Sequence, residues 1–165
     1  MTAAPWVRPA SRVLVIDPQQ RVLLLGSRGP APRPGTPVRF WYTPGGGVED
    51  GEDLRTAAVR ELAEELGLVV EPSALEGPVW LRRHVWPWGE TVVDSRETYF
   101  ALRGVVHTVD ASGRTAEELA ADQPHRWWSA DELATSTQSF APGSLARVLP
   151  EVLTSPWAGP PRIVD

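Results

Sequence analysis

The segment from Gly45 to Leu68 constrains this chain more than any other, because a glycine run leads directly into a strongly patterned helix. Residues Asp53 to Leu66 have helical spacing. At about 100° per residue, Glu64 lies about 60° to one side of Glu61, and Glu65 lies about 40° to the other side. The three carboxylates therefore share one narrow face of the predicted helix.

The opposite side of this helix is apolar, with Val59, Leu62, Ala63 and Leu66. We expect that side to be buried on a sheet and the acidic side to face outward. Like charges three or four residues apart destabilise a helix by roughly a few tenths of a kcal/mol per pair, which favours a positive partner nearby. Carboxylate and backbone carbonyl oxygens suit Mg²⁺ or Mn²⁺ and suit zinc poorly. A solvated acidic helix face without a metal is the alternative interpretation.

Composition limits the partners of the protein. A net charge of -5 and a pI near 5.2 argue against a broad basic surface for nucleic acid or an anionic membrane. The absence of Cys excludes a disulfide framework, a thiolate zinc site and a Cys nucleophile. No apolar run approaches the roughly 20 residues that span a bilayer, and Met1 to Ala10 lack a signal-peptide pattern. We therefore expect a cytoplasmic protein.

Strand signals on both sides of the helix indicate the fold class. The predicted strands are β-branched, Leu-rich or aromatic segments: Ser11–Ile16, Arg21–Leu25, Arg39–Thr43, Val79–Val85, Glu97–Val106 and Arg126–Trp128. A turn at Asp17–Gln20 predicts that the first two form a hairpin. A capping box at Ser129–Glu132 opens one later helix, and Ser144–Leu153 forms another. This order predicts an α/β sandwich around a mixed sheet.

The length of 165 residues suits a single domain. We expect that domain to cover residues 1–165, with an N-terminal arm over about 1–10 and a Pro-rich C-terminal tail over about 156–165. The tail is expected to pack on the surface.

Nine residues of the constraining segment match a known motif, namely Gly46, Glu52, Arg60, Glu61, Leu62, Glu64, Glu65, Gly67 and Leu68. They occupy every fixed position of the Nudix box, so the chain resembles the Nudix hydrolase family. The resemblance implies a Nudix-type α/β/α sandwich with a mixed β-sheet between helices. It also implies a pyrophosphohydrolase that acts on acid anhydrides.

The resemblance implies metal ligands as well. Glu64 and Glu65 are expected to bind Mg²⁺, with Mn²⁺ as a substitute, and Glu61 either joins them or acts as general base. The carbonyl of Gly45 often completes the coordination in the family. A further acidic ligand commonly comes from a later segment, where the candidates are Glu118, Glu117 and Glu97. A surface role for each of these three glutamates is the alternative.

Two further box residues are expected to support the reaction. Arg60 braces the glutamates, and Glu52 supports the loop or a water molecule. The reaction itself needs charge neutralisation and a water molecule aligned with the leaving oxygen, so it needs no protein nucleophile. A catalytically inactive nucleotide-sensing module is the alternative function, which the complete box disfavours.

The substrate is predicted less directly. The candidates for phosphate or base contacts are Arg28, Trp41, Arg82 and Trp86. Each of them could equally be an ordinary strand-end or packing residue. With few arginines near the site, we expect a nucleoside-diphosphate-linked or nucleoside-triphosphate small molecule and not an RNA. No membrane partner is expected, and a homodimer stays open.

Overall fold

The computed structural model describes residues 4–30, 32–116 and 123–165. Its strands are β1 (Trp6–Val15), β2 (Val22–Ser27), β3 (Phe40–Tyr42), β4 (Gly45–Gly47), β5 (Glu76–Trp88), β6 (Thr91–Leu102), β7 (His125–Trp128), β8 (Phe140–Ala141) and β9 (Arg162–Val164). Its helices are α1 (Leu54–Leu66), α2 (Ala130–Thr135) and α3 (Leu145–Thr154), and a short 3-10 turn covers Pro72–Ala74.

The described strands form two mixed sheets. One has the order β4-β1-β6-β5-β9, in which β1 runs parallel to β6. The other has the order β7-β2-β3-β8. The predicted α/β class with mixed strand directions is confirmed, and the strands divide between two sheets instead of forming one.

Strands β1 and β2 carry the core on both of their faces. Val13 and Val15 pack in one cluster with Leu62 and Leu66 of α1. The alternate residues of β1, together with α2 and α3, belong to a second cluster. Because successive strand side chains point to opposite faces, a continuous apolar run such as Val13–Ile16 is buried from both sides. The helices therefore cover opposite faces, as the predicted sandwich requires. Among the described residues, no helix is both long and apolar enough to cross a membrane.

The predicted hairpin between the first two strands is only partly correct. The turn forms, since the Asp17 amide donates to the Arg21 carbonyl at 3.0 Å and the Gln20 amide donates to Asp17 at 3.0 Å. Beyond the turn, only a bridge between Ile16 and Val22 joins the two segments. They separate because β1 pairs with β4 and β6, whereas β2 joins the other sheet.

The expected arm and tail both need correction. Strand β1 begins at Trp6, inside the expected arm of residues 1–10, because β6 provides parallel partners for it from Val93 onward. The expected tail of residues 156–165 contains β9, which pairs in parallel with β5. Val164 in that strand is buried. A short segment after a Pro-rich stretch gives little strand signal, so only the tertiary structure reveals this pairing.

The β5–β6 hairpin is longer than predicted. It extends to Trp88 and starts again at Thr91, whereas the sequence indicated strands at Val79–Val85 and Glu97–Val106. A charged residue interrupts the apolar pattern in the added length, because Asp94 lies there and forms an ion pair with Arg83 of β5 at 2.7 Å. Asp94 is buried in this pair, whereas Arg83 is exposed. Trp86 of this extension lines the pocket described below.

Candidate active site

A pocket of 510 Å³ opens beside the glycine run of β4. Residues of β1, β2, β3, β4, β5, β6 and β8 line it, and α1 contributes Glu65. The pocket therefore lies between residues from both sheets, at the side of α1 that carries the box glutamates.

Arg60 organises the acidic face of α1. Its Nε donates to Glu52 at 2.7 Å, and its NH1 donates to Glu61 at 3.0 Å and to Glu64 at 3.2 Å. NH2 donates to the Gly47 carbonyl at 2.9 Å. The hydrogen bond that Arg60 donates to Glu52 is the main reason that the pKa of Arg60 lies above its ordinary value. One guanidinium offsets only one of three nearby carboxylates, so this group retains negative charge.

The three glutamates of the acidic face differ in exposure. Glu64 is 45% exposed, Glu61 is 13% exposed, and Glu65 is only 6% exposed. The Glu65 carboxylate accepts a hydrogen bond from the Gly45 amide at 2.8 Å. The expectation that the whole acidic face points outward is thus wrong for Glu65. Burial also raises the pKa of Glu61.

The glycine run brings backbone against both β1 and the acidic face. Gly45 has a φ of 132°, and a Cβ atom there would lie 2.1 Å from the Ser11 carbonyl oxygen. A Cβ at Gly46 would lie 2.4 Å from Oε1 of Glu61. At Gly45 a side chain would meet backbone, and the backbone there has a conformation that L residues rarely adopt. At Gly46 a side chain would displace the Glu61 carboxylate.

Of the predicted metal ligands, Gly45 and Glu65 line the pocket. Glu61 and Glu64 are not among its lining residues, and both accept hydrogen bonds from Arg60. Within the described ranges, no group of three or more His, Asp or Glu side chains is arranged to hold a metal ion. Arg60 holds two of the glutamates, and Arg12 donates to the Gly45 carbonyl at 2.7 Å. The donor set nevertheless fits a hard divalent cation, because it is all oxygen and carries excess negative charge.

Of the three candidates for an additional acidic ligand, the structure describes only Glu97. Glu118 and Glu117 lie outside the described residues. Glu97 is 6% exposed and accepts hydrogen bonds from Arg82 at 3.0 Å and from Tyr99 at 2.9 Å, while its other oxygen pairs with Arg12 at 3.2 Å. Burial opposes ionisation, but Arg12 and Arg82 hold the pKa of Glu97 below its ordinary value. Glu97 thus fixes two arginines at the pocket.

Two of the four predicted substrate contacts line the pocket. Arg82 is 13% exposed at its wall, and Trp86 lies farther along the same strand with its ring stacked on His84 at 5.1 Å. Arg28 is not among the lining residues, and it donates to the Thr36 carbonyl.

Trp41 is the clearest correction among the predicted substrate contacts. It is 7% exposed, packs in the core edge-to-face with Trp128, and donates from Nε1 to Gln138 at 2.5 Å. Strand alternation points its neighbours Phe40 and Tyr42 to the other side, and those two residues line the pocket.

Sequence reasoning missed the β1 contribution to the pocket. Arg8 and Arg12 line it, four residues apart on the same face of β1. The available signal was the even spacing of these two arginines along a strand, but it identifies a pocket face only once β1 is placed between β4 and β6.

Comparison with known proteins agrees with the box and its surroundings. The family model described as the NUDIX domain matches residues 6–150, which is most of the chain. The chain belongs to the Nudix family. The family prediction is therefore confirmed, and membership implies a divalent metal ion.

Several relatives of this Nudix chain are named as enzymes. An RNA pyrophosphohydrolase of Dinoroseobacter shibae is 51% identical over 49 residues, which are 28% of this chain and 31% of that protein. Nudix hydrolase 25 of Arabidopsis thaliana is 54% identical over 41 residues, or 25% and 23% of the two chains. An RNA pyrophosphohydrolase of Cereibacter sphaeroides is 29% identical over 119 residues, or 64% and 68%. The chain thus spans less than a third of the first two relatives.

Solved structures show the same fold at low identity. The MutT protein from Methanosarcina mazei Go1 has a TM-score of 0.60 and 18% identity, covering 93% of this chain and 99% of that one. The MutT protein from Bacillus halodurans has a TM-score of 0.60 and 22% identity, covering 90% and 84%. These structures confirm the Nudix-type α/β fold, and the relatives' names support the predicted enzyme.

Proposed function

We propose that this Nudix protein is a Mg²⁺-dependent hydrolase that cleaves a phosphoanhydride bond in a nucleotide carrying a diphosphate or longer chain. The observation that supports the proposal is that the helix of the complete Nudix box contributes Glu65, together with Gly45 and Gly46, to a pocket lined by arginine and aromatic residues. The carboxylates of α1 are suitable ligands for the metal ion, and the arginine and aromatic side chains of the pocket are suitable contacts for the nucleotide.

The box residues would hold the metal. Glu61, Glu64 and Glu65 would supply carboxylates from one face of α1, and Mn²⁺ could replace Mg²⁺ with the same oxygen ligands. A divalent ion held by these residues would neutralise phosphate charge and would make a water molecule easier to deprotonate. Glu61 then either remains a ligand or accepts the proton of the attacking water. Arg60 and Glu52 keep these carboxylates against the loop at Gly47.

The pocket arginines would bind the phosphate chain. Arg8, Arg12 and Arg82 all line the pocket, and Glu97 offsets the charge of only one of them. Guanidinium groups suit this task because their planar donors match phosphate oxygens. Since Glu97 fixes two of these side chains, the pocket meets the substrate with its positive groups already oriented.

Aromatic side chains of the same pocket would bind the base. Phe40 and Tyr42 line one wall, and the stacked pair His84 and Trp86 lines another. Base stacking on an aromatic side chain is worth about 1 to 3 kcal/mol and tolerates different bases. The proposal therefore names a nucleotide without choosing the base.

Removal of pyrophosphate from an RNA 5′ end is a second candidate function, because several relatives are named RNA pyrophosphohydrolases. The same phosphoanhydride chemistry would serve either substrate. The net charge of -5 favours the small nucleotide, since an RNA chain needs a continuous basic surface.

A substrate panel tests the proposal. ADP-ribose, nucleoside triphosphates, dinucleoside polyphosphates and a short 5′-triphosphate RNA would be offered with Mg²⁺ and with EDTA, and the released phosphate, pyrophosphate or nucleotide would be measured. We expect Mg²⁺-dependent cleavage of a small nucleotide and no cleavage with EDTA. Preferential cleavage of the RNA would support the second candidate. Binding without cleavage of any member would favour a sensing module.

A further inference from the structure

A second aromatic pair lies beyond the pocket. Trp6 at the start of β1 and Trp88 at the end of β5 have ring centroids 5.6 Å apart and an interplanar angle of 31°. Trp6 is 47% exposed and Trp88 is 60% exposed. We call these two residues the outer aromatic pair. Neither of them lines the pocket.

Strand register places the outer aromatic pair on the face of the sheet that lines the pocket. On β6, Val93 is the partner of both Trp6 and Trp86. Trp88 lies two residues beyond Trp86 on β5, so its side chain points to the same face. Val93 of β6, which lies between β1 and β5, is fully buried. A single face thus carries the pocket and the outer aromatic pair.

The order of residues along this face matches the order of groups in a nucleotide ligand. On β5, Arg82 comes first, then the stacked pair His84 and Trp86, and then Trp88. Two residues of a strand span about 6.6 Å, so the outer aromatic pair lies about one such step beyond the inner stacked pair. A ligand that leaves the pocket past His84 and Trp86 meets exposed indole rings next.

We infer that the outer aromatic pair binds a second nucleobase, so that the preferred substrate carries two bases joined through phosphate. The inference rests on the proposed function. Two large aromatic side chains half exposed beside a binding pocket are an unusual surface unless they meet a ligand. Indole faces suit a nucleobase, and the arginines at the inner end suit the phosphates that connect it. A dinucleoside polyphosphate and the 5′ end of an RNA both have this chemistry.

Kinetics of substitutions in the outer aromatic pair test the inference. Wild type, Trp6→Ala and Trp88→Ala would be assayed on diadenosine tetraphosphate, on a 5′-triphosphate dinucleotide and on ATP. We expect kcat/KM for a two-base substrate to fall on the order of tenfold relative to kcat/KM for ATP, through KM, because one stacking contact is lost. Trp88→Phe should restore most of the ratio. The two-base substrate that shows the loss identifies the source of the second base.

A control variant and a binding measurement distinguish failure of this inference from failure of the proposed function. Val106→Ala, at a position that is 86% exposed and outside the described strands, should leave the ratio unchanged. Quenching of tryptophan fluorescence by the same two-base compounds measures binding without turnover, so it tests the pair even if the wild type cleaves nothing and the proposed function fails. Equal losses on all substrates, a lower melting temperature with an unchanged ratio, or dissociation of a dimer would overturn the inference.

Discussion

At the residue scale, adjacent glycines of β4 have different reasons for lacking a side chain. Gly45 combines a φ of 132° with backbone 2.1 Å from the position of its absent Cβ. Gly46 instead leaves space for the Glu61 carboxylate, since a Cβ there would lie 2.4 Å from that group. Gly45 therefore allows β4 to pack closely against β1, and Gly46 leaves space for the Glu61 carboxylate.

This difference predicts different effects of Gly45→Ala and Gly46→Ala. Gly45→Ala should lower the free energy of unfolding by at least about 1 to 3 kcal/mol, because backbone atoms of β1 cannot move aside cheaply. Gly46→Ala should lower stability less and weaken Mg²⁺ binding more, because it displaces Glu61. Thermal unfolding and metal titration would measure both effects. Gly143→Ala is the control, since a Cβ there meets nothing within 4 Å; similar metal binding in Gly46→Ala and wild type would contradict the prediction.

Glu65→Gln should remove most turnover while preserving the fold. An amide oxygen can still accept the hydrogen bond that Gly45 donates to Glu65, but it lacks the charge that the metal needs. We expect kcat to fall roughly 100-fold or more, since several kcal/mol of charge stabilisation depend on the metal. Steady-state rates at saturating Mg²⁺ measure this, with Glu71→Gln as an exposed control. A rate near that of the wild type would exclude Glu65 from the metal site.

At the scale of single elements, the three residues of strand β3 divide between the hydrophobic core and the pocket. Trp41 points into the core, whereas Phe40 on the opposite side lines the pocket and is 39% exposed. The alternation has this effect because β3 lies between β2 and β8, with the core on one side and the pocket on the other.

Substitution of these neighbours should therefore give opposite results. Trp41→Ala should destabilise the protein by about 3 to 5 kcal/mol, as expected for a large buried aromatic residue. Phe40→Ala should change the melting temperature little and raise KM for the nucleotide. Chemical denaturation and steady-state kinetics would distinguish the two variants. A raised KM in a stable Trp41→Ala variant would return Trp41 to the substrate contacts.

At the scale of the whole molecule, the C-terminal strand closes the edge of the five-stranded sheet. Val164 of β9 is 7% exposed and belongs to the core cluster that includes Trp80, whereas Ile163 is 79% exposed. The Ser144 amide also donates to the side chain of Asp165 at 3.0 Å, which links this end to the start of α3. The segment thus contributes to the core on one side only.

Val164→Ala should lower the free energy of unfolding by about 2 kcal/mol, because it removes buried methyl groups and leaves a cavity. Ile163→Ala is the matched control from the same strand and should change stability by less than about 0.5 kcal/mol. Urea denaturation measures both changes. Equal effects of the two substitutions would mean that β9 does not pack as described.

The sequence by itself determined the parts that depend on near neighbours. The helix that ends before Gly67, the capping box at Ser129 and the complete Nudix box all follow from residues a few positions apart. Their local hydrogen bonds and helical spacing form wherever the segment lies in the fold. The family and the α/β class were predictable for the same reason.

Only the tertiary structure decided how distant segments meet. Arg12 and Glu97 are 85 positions apart in sequence, yet they pair in the pocket because β1 runs parallel to β6 and not beside β2. Because β5 pairs with the other side of β6, Trp6 also meets Trp88. In the second sheet, the place of β3 between β2 and β8 turns Trp41 into the core. The residues of a strand determine which side chains share a face. Which strand pairs with which depends on the burial of side chains across the whole sheet, and a local sequence pattern does not contain that information.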